Sequence, residues 1–437
     1  MKRYEAYKPT ETNWIPSVPI TWDMKKIVHL FSQRKEKVSD RDFPPLSVTK
    51  NGILPQLDNA AKTDDGDNRK RVCVGDFVIN SRSDRKGSCG VSTLEGSVSL
   101  INIVLQPRQQ LTGNYAHYLL RSQPFSEEFY RNGRGIVADL WTTRYSEMKT
   151  ILLPVPPREE QEQIVRYLDW QVSKINRLIA AKRKQIALMR DNLKSAVAYY
   201  TTHGLGNHEL CQSEIYWLTH YPNDWRVTKL RYILEKHRRE VTPNAELLIC
   251  SNSGEVVKRG DGKLGLVASS DDIYQGVTAG DLLIHGMDTW HGAIAISSFD
   301  GMCTPVVHVC TCKEEKRYVA YYLKMMAYTK VFKAISNGVR QNTSDFRSWD
   351  KVGDLLICLP THDEQVAIAD KLDYLTVQTK AGISFFEKQI EHLQELHTRL
   401  IFDVVTGQVD VRGIKVPDVE YTYTETREEE LEETEEN

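Results

Sequence analysis

The residues best suited to bind a metal lie in VVHVCTC, where His308, Cys310 and Cys312 offer an imidazole and two thiolates, a donor set that zinc accepts. They alternate, as residues on one face of a strand do, and no second ligand pair follows at zinc-site spacing, so the run reads as a core strand. The other six cysteines, at 73, 89, 211, 250, 303 and 358, form no CxxC pair, and reduced thiols are expected. Machinery for catalysis is missing as well. The chain lacks GxxxxGK[ST], HExxH and GxSxG, and Gly133-x-Gly135 in NGRGIV is too short a pattern to cradle a dinucleotide. Asp139, Asp271 and Asp272 are isolated acids of the kind that cap turns. No catalytic residue, metal site or cofactor of the chain's own is expected.

What remains is recognition by polar loops. The first half offers Arg69 and Lys70 in NRKR, Arg82, Arg85 and Lys86 in RSDRKG, Arg134 in NGRG, and Arg144. The second offers Lys258, Arg259 and Lys263 in VKRGDGK, Trp290 and His291 in DTWHG, and Arg340, Gln341, Asn342 and Arg347 in VRQNTSDFR. Guanidinium, amide and imidazole groups match the donors and acceptors on base edges, and lysines suit phosphates. These residues are the candidate DNA contacts.

The elements that must position them come twice. PPREEQEQIVRYLD at 156–169 returns as PTHDEQVAIADKLD at 360–373, a separation that divides the chain into two whole halves. ETNWIPSVPITWDMKKI at 11–27 matches EIYWLTHYPNDWRVTKL at 214–230, each with Trp-x7-Trp three residues after a glutamate. LSVTKNG is answered by LICSNSG. Gly75, Gly87 and Gly96 keep the spacing of Gly280, Gly292 and Gly301, bracketing strand-like GDFVIN and GDLLIH. Between those glycines SRSDRKG differs entirely from GMDTWHG. Shared turns with divergent loops point to one scaffold used for two different surfaces.

Each half ends in a long amphipathic helix. Stepping by four and three from Leu168 reaches Val172, Ile175, Ile179, Lys182, Ile186, Met189, Leu193, Ala196 and Tyr200, with only Lys182 polar. The same steps from Leu372 reach Ile383, Phe386, Ile390, Leu393, His397, Leu400 and Val404, with Thr376, Thr379 and His397 as the polar exceptions. Both helices therefore carry a heptad seam in one register, preceded by proline, begun with acids and closed by Gly204 and Gly407. About 40 residues give a rod of roughly 60 Å. Such a seam must be covered, and an antiparallel coiled coil of the two copies covers both. Lys182 and His397 are read as fixing register or meeting a partner.

The expected fold is α+β: two pseudo-repeated α/β globules joined by two long helices that form an antiparallel coiled coil. The boundaries are 1–155 for the first globule, 156–204 for the first helix, 205–359 for the second globule, 360–407 for the second helix and 408–437 for an acidic, disordered tail. A total charge of −2 conceals an asymmetry, because the last twenty residues carry −9 and residues 1–417 are therefore +7. A mildly basic body is compatible with DNA. MKRYEAYKPTETNWIP has no apolar h-region and no run nears the ~18 apolar residues that span a bilayer, so a cytoplasmic protein is expected.

Three marks, in order and twice, resemble the specificity subunits of type I restriction-modification systems. They are Trp14 to Trp22 with Trp217 to Trp225, Gly75-Asp76 with Gly280-Asp281, and P-x-x-x-Glu-Gln before each long helix. The resemblance spans nearly the whole chain. It implies that 1–155 and 205–359 are target recognition domains, each reading half of a split DNA site, and that the helices are the central and distal conserved regions that set the gap. It also implies docking of two adenine-methyltransferase subunits, which bring S-adenosylmethionine, and of restriction subunits that use ATP and Mg. The halves differ at PPREEQ against PTHDEQ and at GRGIVADLW against GVRQNTSDF. The alternative reading, drawn from the near-neutral total charge, is a coiled-coil scaffold that grips two protein surfaces without DNA.

Overall fold

Runs of apolar residues bounded by glycine turns become the central strands of two separate sheets. The computed structural model describes residues 2–56, 66–135, 141–215, 217–260, 274–336 and 346–417. It divides into two compact units: Met1–Arg183 with Glu387–Asn437, and Lys184–Phe386.

In unit 1, β1 (Phe31–Gln33), β2 (Phe77–Asn80), β3 (Cys89–Val91) and β4 (Asn102–Pro107) form an antiparallel sheet in the order β3-β2-β4-β1. Every residue of β2 is buried, as expected of a strand covered on both faces. Helix α1 (Gly113–Arg121) starts at Thr112, whose hydroxyl accepts from the Tyr115 amide at 3.1 Å. Helix α2 (Gln123–Arg131) carries Pro124 in its first turn and buries Phe125 and Phe129, four apart on one face. The long helix α3 (Arg158–His203) follows.

Unit 2 repeats this plan with β5 (Leu234–His237), β6 (Leu282–His285), β7 (Ile294–Ile296), β8 (Val307–Cys312), α4 (Lys316–Tyr328) and the long helix α5 (His362–Val405). Sheet order is β5-β8-β6-β7, and the register repeats too. Ile79 lies opposite Cys89 and Ile103; 205 positions on, Ile284 lies opposite Ile294 and His308. The VVHVCTC run is the core strand read from its alternation: His308 and Cys310 are fully buried, and the His308 imidazole Nε2 lies 2.7 Å from the Phe346 carbonyl. All eight cysteines are unpaired, and burial pushes the Cys250 thiol up to about 12.

Within each unit the two long-helix segments run in opposite directions. In unit 1, Val172 shares a cavity wall with His397 and Ile401, while Gln163 donates to the carbonyls of Val411 and Ile414. In unit 2, Met189 meets Gly382 and Gly204 meets Glu364. Seam residues Leu168, Val172, Ile175, Ile179, Leu372, Leu400 and Val404 are buried. The compact units thus cut across the sequence segments 156–204 and 360–407, because each seam half is covered by its own globule together with the other helix.

One correction concerns the C-terminal segment. Residues 408–417, grouped by sequence with the acidic tail, are ordered on unit 1: Val409 and Val411 are buried, and the Asp410 amide donates to the Lys2 carbonyl at 2.9 Å. Apolar side chains at 409 and 411 give that stretch something to bury. Residues 418–437 lie outside the described residues.

Candidate nucleic-acid interface

Both candidate surfaces rest on the same buried framework. Arg34 grips Asp76 with Nε and Nη2 at 2.7 and 3.1 Å, and Asp76, 2% exposed, also accepts from the Cys73 amide at 2.9 Å. Arg239 forks onto Asp281 as well, end-on through Nη1 and Nη2, and Asp281 accepts from the Thr278 amide at 2.7 Å. The paired carboxylate lifts the Arg34 guanidinium above its usual range. These forks hold the Gly-Asp turns that lead into β2 and β6, and so fix where the following loops emerge.

The second framework is the glutamine of Glu-Gln. Gln161 accepts from the Thr112 amide at 2.9 Å and donates to the carbonyls of Gln110 and Pro156 at 3.0 and 2.9 Å. Gln365 accepts from the Glu315 amide at 3.1 Å and donates to the Pro360 carbonyl at 3.0 Å and to Glu314 at 3.1 Å. Each glutamine pins the first turn of a long helix to the start of the preceding short one. Tyr115 donates to the carbonyl of Val405 and Tyr318 to that of Cys358, at 2.8 and 2.7 Å. Tyr118 and Tyr321 donate to Asp169 and Asp373 at 2.6 and 2.7 Å.

On this scaffold unit 1 gathers three loops. Arg134 and Thr142 exchange both backbone hydrogen bonds at 3.0 Å, the Thr143 amide donates to Ser81, and the Tyr130 hydroxyl donates to the Arg82 carbonyl at 2.8 Å. Exposed Arg82, Arg134 and Arg144 are therefore carried by one connected surface with Lys86, whose ammonium pairs with Glu127 and lies 5.6 Å from the Tyr130 ring centre. Arg85 has its side chain 68% exposed beside Asp84. Sequence reading missed Tyr130 and Thr142, which tie these loops together; the aromatic residue two positions before NGRG was the available signal for the first.

Arg69 and Lys70 do not belong to that surface. Arg69 is buried, its guanidinium donating to the Ser97 hydroxyl at 2.8 Å and carbonyl at 3.1 Å, and burial lowers its pKa. Lys70 reaches the carbonyls of Leu100 and Asn102 at 2.8 and 2.6 Å. Both lie on the strand Arg69–Val72, and the strand places Arg69 inward. Arg69 is thereby committed to the interior, against its place among the candidate contacts, and the half-buried Lys70 spends its ammonium on two backbone carbonyls.

In unit 2, Gly286 brings two segments together. Its amide donates to Val306 and its carbonyl accepts from Phe346, and an added Cβ would lie 2.9 Å from the Phe346 oxygen and 3.0 Å from the Arg347 Cα. Exposed Arg347 is thereby set beside the loop that carries His285, Trp290 and exposed His291. The 3-10 turn Thr289–His291 closes on Gly292 at φ +90°. Lys333, not foreseen from sequence, lies 5.6 Å from the Trp290 ring centre. Burial holds the His285 imidazole below its usual range despite Asp288 at 3.1 Å. Lys258 and Arg259 sit elsewhere, around a hollow of ≈ 310 Å³ that includes Tyr274, and Lys258 pairs with Glu246. Lys263, Arg340, Gln341 and Asn342 lie outside the described residues.

Among the described residues no cluster of three metal-ligating side chains forms, and no helix is long and apolar enough to cross a membrane.

No family model matches the chain. Over 93% of its length it is 22% identical to a Methanocaldococcus jannaschii protein described as a type I restriction enzyme MjaX specificity subunit, 97% of which is covered. A solved structure concerned with complex assembly and conformational transition of the type I R-M system contains a chain that superposes at a TM-score of 0.66. Identity there is 13%, over 90% of this chain and 99% of that one. The HsdS subunit from Thermoanaerobacter tengcongensis aligns over 90% of this chain and 98% of its own at 14% identity and a TM-score of 0.49. The fold is shared with the first of these structures, and the resemblance to type I specificity subunits read from the doubled motifs runs along nearly the whole chain.

Proposed function

We propose that this chain is the DNA-specificity subunit of a type I restriction-modification complex. Each globule reads one half of a bipartite site, and the paired helices set the spacing between the halves. The observation that carries this reading is the doubled framework: the Arg34–Asp76 and Arg239–Asp281 forks, each leading into a loop of different chemistry. An adaptor built for one repeated partner would have kept the two loops alike. On the first surface Arg82, Arg85, Lys86, Arg134 and Arg144 supply cationic donors; on the second His291, Trp290 and Arg347 supply a mixed aromatic and polar set.

The long helices are the docking surfaces for two adenine-methyltransferase subunits. Tyr374, Val377 and Phe385 form an apolar stripe on α5 outside the seam and are 60%, 62% and 59% exposed, which supports a protein partner there. S-adenosylmethionine, ATP and Mg belong to the partner subunits in this reading, and catalysis resides there. The test is co-purification with the methyltransferase followed by mapping of methylated adenines. Exchanging residues 1–155 for those of a relative should alter one half-site and leave the other intact. Methylation at an uninterrupted site, or a change in both halves, defeats the proposal. Duplex binding through phosphate contacts should weaken steeply between low and physiological salt, whereas the adaptor reading expects no duplex retention at any salt.

A further inference from the structure

We propose that unit 1 carries a phosphate-binding site in the cavity of ≈ 490 Å³ lined by α1, the start of α2 and the two long-helix segments, with Lys50 and Arg121 as its cations and the His397 imidazole on the same wall. The inference goes beyond the DNA-reading proposal and does not depend on it. Arg121 is fixed by two contacts: Nη1 lies 2.8 Å from the His117 Nε2 and Nη2 donates to the Lys50 carbonyl at 2.7 Å. Neither contact neutralises it. Among the described residues Arg121 and Lys50 have no carboxylate partner, whereas Lys86 and Glu127, also on the wall, cancel each other. His397 makes no hydrogen bond to a described residue. Burial, and then the charge of Arg121, hold its imidazole below the usual range, so at neutral pH it offers an uncharged ring that can donate a hydrogen bond. Like charges held together in a half-enclosed hollow are unfavourable until an anion joins them, and a guanidinium with an ammonium and an imidazole suits the oxygens of a phosphate. Val172, Ile401 and Tyr118 complete the lining, and the volume lies within the roughly 300–1,000 Å³ of small-molecule sites.

Unit 2 shows that the fold does not impose this wall. Tyr321 and Asp373 match Tyr118 and Asp169, so the framework is kept. Ala320 stands at the position of His117, Lys324 at that of Arg121, and Leu193 at the seam position of His397. Glu255 pairs with Lys380 there, and burial holds the Lys324 ammonium below its usual range, with the charges of Glu255 and Asp373 opposing that shift. The second copy has carboxylates beside its cations, whereas Arg121 and Lys50 have none among the described residues.

The phosphate comes from a free nucleotide or from the DNA backbone, and titration of the full-length chain separates the two. Calorimetry with AMP and inorganic phosphate, and with adenosine as the phosphate-free control, is run beside fluorescence anisotropy with a short duplex. His397→Leu copies Leu193 and keeps the seam apolar; Lys50→Gln changes an exposed side chain. For a free ligand, AMP binds, adenosine does not, and each variant weakens AMP by about tenfold or more with an unchanged melting temperature. For the backbone, free AMP does not bind and both variants weaken the duplex by a similar factor. The inference is overturned if both variants bind AMP and duplex as the wild type does, or if adenosine binds as well as AMP.

Discussion

Unit 1 and unit 2 repeat one set of buried polar bonds and differ in what surrounds them. The Arg–Asp forks, the Gln clamps at the helix starts and the Tyr–Asp pairs each occur twice. The loops that follow the forks share almost nothing, and the cavity beside His397 has Ala320 and Leu193 in unit 2 where unit 1 has His117 and His397. Buried polar groups must all be satisfied at once, so a substitution in one strands the others. An exposed loop carries no such constraint. The interior of a duplicated protein therefore preserves its ancestry while the surface records separate uses.

The forks offer the sharpest way to break this equivalence. Arg34→Ala leaves the Asp76 carboxylate buried without its partner and should cost about 3–5 kcal/mol of unfolding free energy. Arg239→Ala should cost less, because the Arg239 side chain is 32% exposed against 19% for Arg34 and water can take its place more readily. Denaturant titration of each variant checks the order, and a larger loss for Arg239→Ala would mean that the two forks are not equivalent.

Next come the clamps. Gln161→Ala strips partners from the Thr112 amide and the Pro156 carbonyl, and Gln365→Ala does the same to the Glu315 amide and the Pro360 carbonyl. A loss of about 2–3 kcal/mol is expected for each. Faster hydrogen exchange at the first turn of the affected helix alone would localise the damage; uniform exchange across both helices would contradict independent clamps.

A smaller difference separates the helix-closing glycines. Both have left-handed φ, +76° at Gly204 and +74° at Gly407, so alanine costs about 1–2 kcal/mol at either. At Gly407 the new Cβ would also lie 2.5 Å from the Pro19 Cδ, whereas at Gly204 it meets the movable end of Glu364 at 2.6 Å. Gly407→Ala should therefore lower the melting temperature further than Gly204→Ala, and equal shifts would show that the Pro19 contact relaxes freely.

The smallest effect concerns the Tyr–Asp pairs. Tyr118→Phe and Tyr321→Phe should each cost about 1 kcal/mol. Burial holds the Asp169 carboxyl above its ordinary range, with the Tyr118 bond opposing that shift. A raised carboxyl pKa favours the folded state below the unfolded aspartate range and loses that contribution as pH rises through the folded value. Asp169→Asn should flatten the fall in stability over that window; an unchanged pH profile would remove Asp169 as its source.

Much of this was legible before any coordinates. The doubled motifs, the seams and the closing glycines follow from spacing alone, since heptad periodicity and left-handed caps depend on neighbours in sequence. The forks were only half visible. Gly-Asp stood out twice, but nothing local distinguishes Arg34 from the other cations of RKEK as the partner of Asp76. NRKR misled for a related reason: four polar residues look like a loop, yet the strand turns Arg69 inward to Ser97, and only the sheet supplies that acceptor. His397 was visible as an interruption of the seam, whereas Arg121 and Lys50 reach it from distant parts of the chain.

The bond between Asp410 and Lys2 has a consequence for biosynthesis. Unit 2 is one unbroken stretch, Lys184–Phe386, and has all its residues once that stretch has emerged from the ribosome. Unit 1, translated first, still lacks α5's last turns and the strap at 408–411 when every residue of its own globule has been made. A premature stop near residue 400 would thus injure the amino-terminal globule and spare the one encoded closest to the stop.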